Sequence, residues 1–210
     1  MLPQGISGGG PYALACAQAL PADKLKVVSI VCGLGPPDIG YWGMKIPNYL
    51  GWTLGHTYMP GLIRWWMKRQ APYRLELSDE KRLELWHKDF VKEKKKAKPK
   101  DTECFEKDPD LPRLFMRHAK ESFLQGLDGP SQDGHLLATD SSYRVEDIRH
   151  DLPLQLWYGK QDTNVPANHG VQIAARFGGK AQLRVEDETH LSMEVNYKEE
   201  ILTNLVKAMG

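Results

Sequence analysis

Four short apolar runs along the chain predict the strands of a sheet. The run Lys26–Cys32 is rich in β-branched residues, as strands buried in a parallel sheet are. Leu154–Tyr158 has the same character, whereas Ala181–Val185 alternates between apolar and polar residues and fits a strand nearer a sheet edge. A fourth, shorter candidate, Met1–Ile6, leads directly into a glycine-rich turn. The pattern therefore predicts a mainly parallel sheet of about four strands.

Helical patterns fill the intervals between these strands. Tyr12–Leu20 is rich in alanine and predicts a buried helix, so that the first two strands and this helix form a βαβ unit. Asn168–Phe177 is predicted as a helix that ends at Gly178-Gly179. A last helix, about Met193–Met209, carries apolar residues on one face. We therefore expect an α/β fold whose sheet is flanked by helices.

The segment 39–125 differs from the rest of the chain. It is rich in aromatic residues, and glycine and proline interrupt every helix-length stretch of its first part. Its first part, residues 39–70, contains four tryptophans, namely Trp42, Trp52, Trp65 and Trp66. We interpret it as a helical lid inserted into a core formed by residues 1–38 and 126–210.

Local signals predict the elements in and after this lid. Ser78 is placed to cap a helix from Asp79 to about Ala97, whose charged end, Lys92–Lys98, we expect to be solvated. Asp108 is placed to cap a second helix, and Asp128–Gly134 is predicted as a turn-rich loop. The residues predicted to form the buried side of the second helix are Leu111, Leu114, Phe115, His118 and Phe123.

Composition excludes several classes of protein. The 28 Lys and Arg residues nearly balance 27 Asp and Glu, so net charge gives no reason to expect binding to nucleic acid or to a membrane surface. No apolar run approaches the roughly 20 residues of a membrane span, and no secretory signal is recognisable. The three cysteines, Cys16, Cys32 and Cys104, are scattered, and the first two fall in predicted core elements. We therefore expect buried thiols in a reducing, cytoplasmic compartment.

The glycine-rich turn carries the first candidate for chemistry. Gly5, Ser7 and Gly9 fit the G-x-S-x-G pattern of a nucleophile elbow, in which a strand turns sharply into a helix. Side chains two positions before and after the serine would collide in so tight a turn, so glycine is expected there. The turn would expose the Ser7 hydroxyl and direct the backbone N–H of Gly8 at a developing oxyanion. A plain glycine-rich loop between strand and helix is the alternative.

Two further polar residues occupy equivalent places. Asp162 follows the third predicted strand and His190 follows the fourth, and the carboxyl ends of parallel strands meet at one edge of a sheet. A serine hydroxyl needs an imidazole to accept its proton, and a carboxylate to orient that imidazole. The alternatives stay open: Asp162 could only form a turn, Asp133 could be the acid, and His190 could be an ordinary loop histidine. His169 is expected on an exposed first helical turn.

The residues 5–17, 147–166 and 188–192 resemble the nucleophile, acid and histidine segments of α/β-hydrolase-fold proteins. The resemblance covers roughly residues 5–38 and 126–208, and the lid fits only by position and composition. It implies that Ser7 is the nucleophile, Asp162 the acid and His190 the general base. A serine at the elbow argues against the branches that need an aspartate there. The resemblance also implies about four further strands before the elbow, one supplying a second oxyanion donor, so we expect an N-terminally truncated form.

These inferences predict a serine hydrolase that transfers an acyl group to water. The expected substrate is a small molecule with an ester, amide or thioester, and the aromatic lid favours an apolar portion. No His-Glu-x-x-His or paired-cysteine motif is present, so we expect no metal and no cofactor. The alternative is a catalytically inactive fragment that binds a partner or has no function.

Overall fold

The computed structural model describes residues 4–93, 99–139 and 141–208. The strands of these ranges form one sheet, in which every neighbouring pair is parallel and the order is that of the sequence. The strands are β1 (Gln4–Ile6), β2 (Val28–Val31), β3 (Leu154–Gly159) and β4 (Gln182–Glu186). The predicted parallel sheet of about four strands is confirmed.

The helices of the described ranges are numbered in chain order. They are α1 (Gly10–Ala19), α2 (Ile46–Leu50), α3 (His56–Tyr58), α4 (Pro60–Met67), α5 (Asp79–Glu93), α6 (Pro99–Lys107), α7 (Leu111–Phe123), α8 (Asp128–Ala138), α9 (Asn168–Arg176) and α10 (His190–Lys207). In those same ranges, none of the helices combines the length and the apolar character needed to cross a membrane.

Burial follows the position of each strand in the sheet. Strands β2 and β3 are central and buried along their whole length, whereas β4 is half-buried. Helix α1 packs on β1 and β2, α10 on β2 and β3, and α9 on β3 and β4. One cluster of the core joins Val31 and Trp157 of the sheet to Met193 and Ile201 of α10. The apolar strands are thus covered by helices, as the sequence pattern predicts for a parallel sheet.

The chain divides into two compact units. The first consists of residues 1–49 and 139–210 and contains the sheet with α1, α9 and α10. The second consists of residues 50–138 and contains α3 to α8. Ser7, Asp162 and His190 all belong to the first unit.

The first long helix of the second unit begins where the sequence predicts. Helix α5 starts at Asp79, and the hydroxyl of Ser78 accepts a hydrogen bond from the Lys81 backbone N–H at 3.2 Å. This is the bond that an N-cap serine makes. The predicted continuation to about Ala97, with most of its charged end, lies outside the described residues.

Helix α7 begins later than predicted and buries a different face. Asp108 accepts a hydrogen bond from the Asp110 backbone N–H at 3.0 Å, so it shapes the turn before the helix and does not cap it. Helix α7 packs on α5, where the buried guanidinium of Arg82 lies against the carbonyl of Met116. The exposed members of the predicted face are Leu114, Phe115 and His118. The residues buried instead are Pro112, Met116 and Ala119.

The predicted loop at Asp128–Gly134 is wrong, because these residues form most of α8. Asp128 and Pro130 suit the first turn of a helix, where a negative charge is favourable and a missing N–H is tolerated. Gly134 lies close to the ring of His56, and a methyl group at this position would lie only 2.1 Å from Nδ1 of that ring. Asp128 and Pro130 therefore begin helix α8, and Gly134 allows it to pack against His56.

The turn between β1 and α1 needs glycine at one predicted position and at one that was not predicted. A methyl group on Gly5 would lie 2.6 Å from the carbonyl oxygen of Gly9, which is a collision. A methyl group on Gly9 would meet no described atom within 4 Å, so the steric reason predicted for Gly9 is wrong. Gly10 is crowded instead, because a methyl group there would lie 2.5 Å from the carbonyl oxygen of Leu34.

The loop that follows β2 is fixed at three successive residues. The carbonyl of Gly33 accepts a hydrogen bond from the Tyr158 hydroxyl at 2.7 Å. The N–H of Leu34 donates to the carbonyl of Ser7 at 2.9 Å, and the N–H of Gly35 donates to Nδ1 of His169 at 3.1 Å. This loop therefore connects the β1–α1 turn, strand β3 and helix α9.

His169 is buried, and its predicted position on an exposed helical turn is wrong. Only 1% of the residue is exposed, on the first turn of α9. Burial lowers the pKa of His169 to about 4, because the charged imidazolium is poorly solvated there. The neutral ring is the form that can accept the Gly35 hydrogen bond at Nδ1.

We expect Gly5→Ala to destabilise the protein by about 1–3 kcal/mol, since the added methyl group overpacks the turn. Gly9→Ala is the matched control and should be neutral or slightly stabilising, because Gly9 has helical dihedral angles and open space around it. Urea unfolding of the two variants measures the difference. An equal loss of stability in both would contradict the steric account.

We expect the stability of the protein to fall as the pH drops from 6.5 to 4, because His169 is protonated more readily in the unfolded chain. Above pH 6.5 His169 is neutral in the folded and in the unfolded chain, so it adds no pH dependence to the free energy of unfolding. The shift corresponds to about 3 kcal/mol, at about 1.4 kcal/mol per pKa unit. The free energy of unfolding, measured with urea at several pH values in this range, should change less with pH in His169→Gln than in the wild type. His118→Gln alters an exposed histidine and should show the same pH dependence as the wild type. The same pH dependence in all three proteins would disprove the assignment of this effect to His169.

Candidate active site

Ser7 occupies a strained turn at the carboxyl end of β1. Its φ angle is 53°, in the left-handed region that a residue with a side chain rarely adopts. Gly8 and Gly9 complete a short 3-10 turn, and α1 begins at Gly10. The half-buried Ser7 is held by the bond from its carbonyl to the Leu34 N–H described above. The chain at Ser7 thus makes a sharp turn from strand to helix.

Asp162 lies in the loop that follows β3, and its side chain is completely buried. One carboxylate oxygen, Oδ1, accepts hydrogen bonds from the backbone N–H groups of Asn164 at 2.7 Å and Val165 at 2.9 Å. These bonds fix the carboxylate and leave Oδ2 to face His190. Turn formation and orientation of a histidine are therefore both performed by this residue.

His190 is the first residue of α10, three residues before the predicted start of that helix. Thr189 is the N-cap: its hydroxyl accepts from the Ser192 N–H at 3.1 Å, and the Ser192 hydroxyl accepts from the Thr189 N–H at 2.8 Å. The Ser192 hydroxyl also donates to the buried carboxylate of Glu188. This reciprocal cap fixes the backbone that carries the imidazole.

The structure joins Asp162 to His190 directly. The distance from His190 Nδ1 to Asp162 Oδ2 is 2.7 Å. The loops after β3 and β4 are also bonded together, since the N–H groups of Lys160 and Gln161 donate to the carbonyls of Glu186 and Glu188 at 2.7 and 2.9 Å. Among the described residues, Ser7 and His190 share the sheet edge but no hydrogen bond. The alternative acid, Asp133, lies in α8 of the second unit.

Cys32 belongs to the same edge, and sequence reasoning treated it only as a buried core thiol. It follows β2 directly with a φ angle of 46°, and only it and Ser7 have positive φ among the described residues other than glycine. Burial, and next the negative charge of Asp162, hold the pKa of the Cys32 thiol well above its usual range. Its position directly after a strand and before Gly33, like that of Ser7 after β1, was the available signal.

Three different side chains converge above β2. The Cys32 sulfur, an Asp162 carboxylate oxygen and a His190 ring nitrogen all lie within 4.8 Å of one another. Within the residues that the structure describes, this is the one group of at least three histidine, cysteine or acidic residues spaced closely enough to hold a metal ion. None of the three cysteines forms a disulfide in the described part of the chain.

A comparison with solved structures agrees with this architecture at the level of the fold. No protein-family model matches the chain, and no curated protein matches its sequence. An α/β-hydrolase-fold protein from Nakamurella multipartita is similar in structure, with a TM-score of 0.54 and 20% identity over 99% of this chain and 69% of the other. A point mutant of the meta-cleavage product hydrolase CumD gives a TM-score of 0.47 at 17% identity, and the match covers 99% of this chain and 64% of that enzyme.

The first of these matches confirms the fold that the sequence resemblance implied. The parallel order of β1 to β4 and the strand–helix turn at Ser7 are consistent with this fold. The chain therefore has the α/β-hydrolase fold.

Proposed function

We propose that the protein is a serine hydrolase that transfers an acyl group from an ester, amide or thioester to water. Ser7 attacks the carbonyl carbon, His190 accepts and returns the proton, and Asp162 orients the imidazole. The observation that carries this proposal is the 2.7 Å contact between His190 and a buried Asp162 at the sheet edge where Ser7 stands in a left-handed turn.

The contact with Asp162 supports a base role for His190. An ionised carboxylate can only accept hydrogen bonds, so the proton of the neutral imidazole resides on Nδ1. The other nitrogen, Nε2, then carries the lone pair that a general base needs. The orientation is maintained by the backbone donors on Asp162 and by the helix cap next to His190.

The register of β1 and β2 supports an approach of His190 to Ser7. Ile6 pairs with Val31, so Ser7 and Cys32 each directly follow a paired residue of two neighbouring strands. The His190 ring nitrogen lies within 4.8 Å of the Cys32 sulfur, which brings the imidazole from the β4 side of the sheet to the end of β2. The proposal requires a hydrogen bond from the Ser7 hydroxyl to His190, and such bonds are often long before substrate binds.

The turn after Ser7 supplies one candidate for oxyanion stabilisation. Gly8 follows the nucleophile in the 3-10 turn, and we assign its backbone N–H as a donor to the developing negative charge. The aromatic residues of the proposed lid favour a substrate with an apolar acyl or alcohol portion. No cofactor takes part in this mechanism.

A fluorophosphonate probe should label the wild-type protein at Ser7, because the reagent reacts with activated serine hydroxyls. We expect Ser7→Ala to lose the label. Ser29→Ala is the matched control, because the buried hydroxyl of Ser29 finds no partner in the described part of the chain and its loss should leave labelling intact. Mass spectrometry of the labelled peptide identifies the site. A folded wild-type protein that takes no label would favour the inactive alternative.

Asp162→Asn should reduce the rate of labelling by about 10⁴-fold, because an amide facing Nδ1 favours the wrong tautomer of His190. The variant keeps an oxygen for the two backbone donors, so it should remain folded, which a thermal melt checks. Asp133→Asn tests the alternative acid and should react like the wild type. A large loss in Asp133→Asn with none in Asp162→Asn would reverse the assignment.

A further inference from the structure

Cys32, Asp162 and His190 lie close together, and the proposed hydrolysis gives Cys32 no role. The three residues combine a sulfur, a carboxylate oxygen and an imidazole nitrogen, all within 4.8 Å of one another. These are the three donor types that Zn²⁺ takes in proteins, at distances of about 2.0–2.3 Å. Three protein ligands with a fourth position left for water or substrate are the usual arrangement of a catalytic zinc site.

The spacing requires only small adjustments. In a tetrahedral site with these bond lengths, neighbouring ligand atoms lie about 3.3–3.8 Å apart. The hydrogen-bonded Asp162 and His190 atoms, now 2.7 Å apart, would separate by about 1 Å or less, and the Cys32 sulfur lies within 4.8 Å of a donor atom of each residue. Each residue is attached to a fixed part of the backbone: the end of β2, the bonded Asp162 turn, and the capped start of α10.

We propose that Cys32, Asp162 and His190 bind a Zn²⁺ ion at the end of β2 and that a bound ion switches off the proposed triad. Binding forms bonds from the metal to the Cys32 sulfur, an Asp162 oxygen and Nδ1 of His190. The thiol proton is released to solvent, and the imidazole proton moves through solvent from Nδ1 to Nε2. No electron is transferred and no other reactant is needed.

This proton movement explains the inhibition. Once Nε2 carries the proton, it has no lone pair with which to accept the proton of Ser7. The ion also replaces the His190–Asp162 hydrogen bond that orients the base. The binding half of the proposal stands on geometry alone, whereas the inhibition half rests on the proposed function.

Cadmium is the probe for binding, since its thiolate complexes absorb in the ultraviolet. Titration of the wild-type protein with Cd²⁺ should produce this band with a stoichiometry of about one, and Zn²⁺ should displace it. Cys32→Ser should lose the band, whereas Cys16→Ser and Cys104→Ser, which remove the other two thiols, should keep it. Asp162→Asn retains the thiol and should weaken Cd²⁺ binding at least tenfold, which separates loss of a ligand from misfolding in Cys32→Ser.

The effect on chemistry is measured as the ratio of fluorophosphonate labelling rates with and without Zn²⁺. We expect at least a tenfold reduction in the wild type and in Cys104→Ser, and no zinc dependence in Cys32→Ser. Absence of the cadmium band from the wild type, or its persistence in Cys32→Ser, would overturn the site. If the cadmium band behaves as expected but the probe never labels Ser7, the metal site is supported and the proposed hydrolase activity is refuted. Normal labelling in zinc-saturated wild type would refute the inhibition.

Discussion

The close approach of Gly10 to the backbone of Gly33 and Leu34 is the constraint on which the candidate site depends. A methyl group on Gly10 would lie 2.5 Å from the Leu34 carbonyl oxygen, so only glycine lets the start of α1 rest on the loop after β2. The same loop donates from Leu34 to the carbonyl of Ser7. The left-handed angle of Ser7 is therefore supported by surrounding contacts, as strained backbone must be if it is to persist.

The other half of the candidate site, formed by Asp162 and His190, is built independently of the β1–α1 turn. Bonds between the loops after β3 and β4, together with the Thr189 cap, position His190 against Asp162 without contribution from the β1–α1 turn. Both halves lie at the same edge of the sheet because parallel strands end at one edge, and β2 lies between β1 and β3. Cys32, at the end of β2, lies within 4.8 Å of a donor atom of Asp162 and of His190.

Sequence patterns predicted what depends on local periodicity and failed where a distant element decides. The strands, the end of α9 at Gly178 and the Ser78 cap follow from neighbouring residues, and they agree with the structure. The roles of Gly9 and Gly10 depend on which one the loop after β2 touches, and this loop lies more than twenty residues away. The burial of His169 likewise depends on Gly35, and the sequence pattern of α9 alone contains no trace of that contact.

The place of Cys32 shows why motif searches miss such a group. A metal motif read from a sequence assumes ligands a few residues apart, whereas these three ligands follow three different strands and are brought together only by the sheet. The two proposals then compete for one atom. Nδ1 of His190 either keeps its proton and donates to Asp162, which leaves Nε2 free to act as a base, or it binds a metal and Nε2 is blocked. The occupant of the space between Cys32, Asp162 and His190 would therefore decide whether Ser7 can be activated.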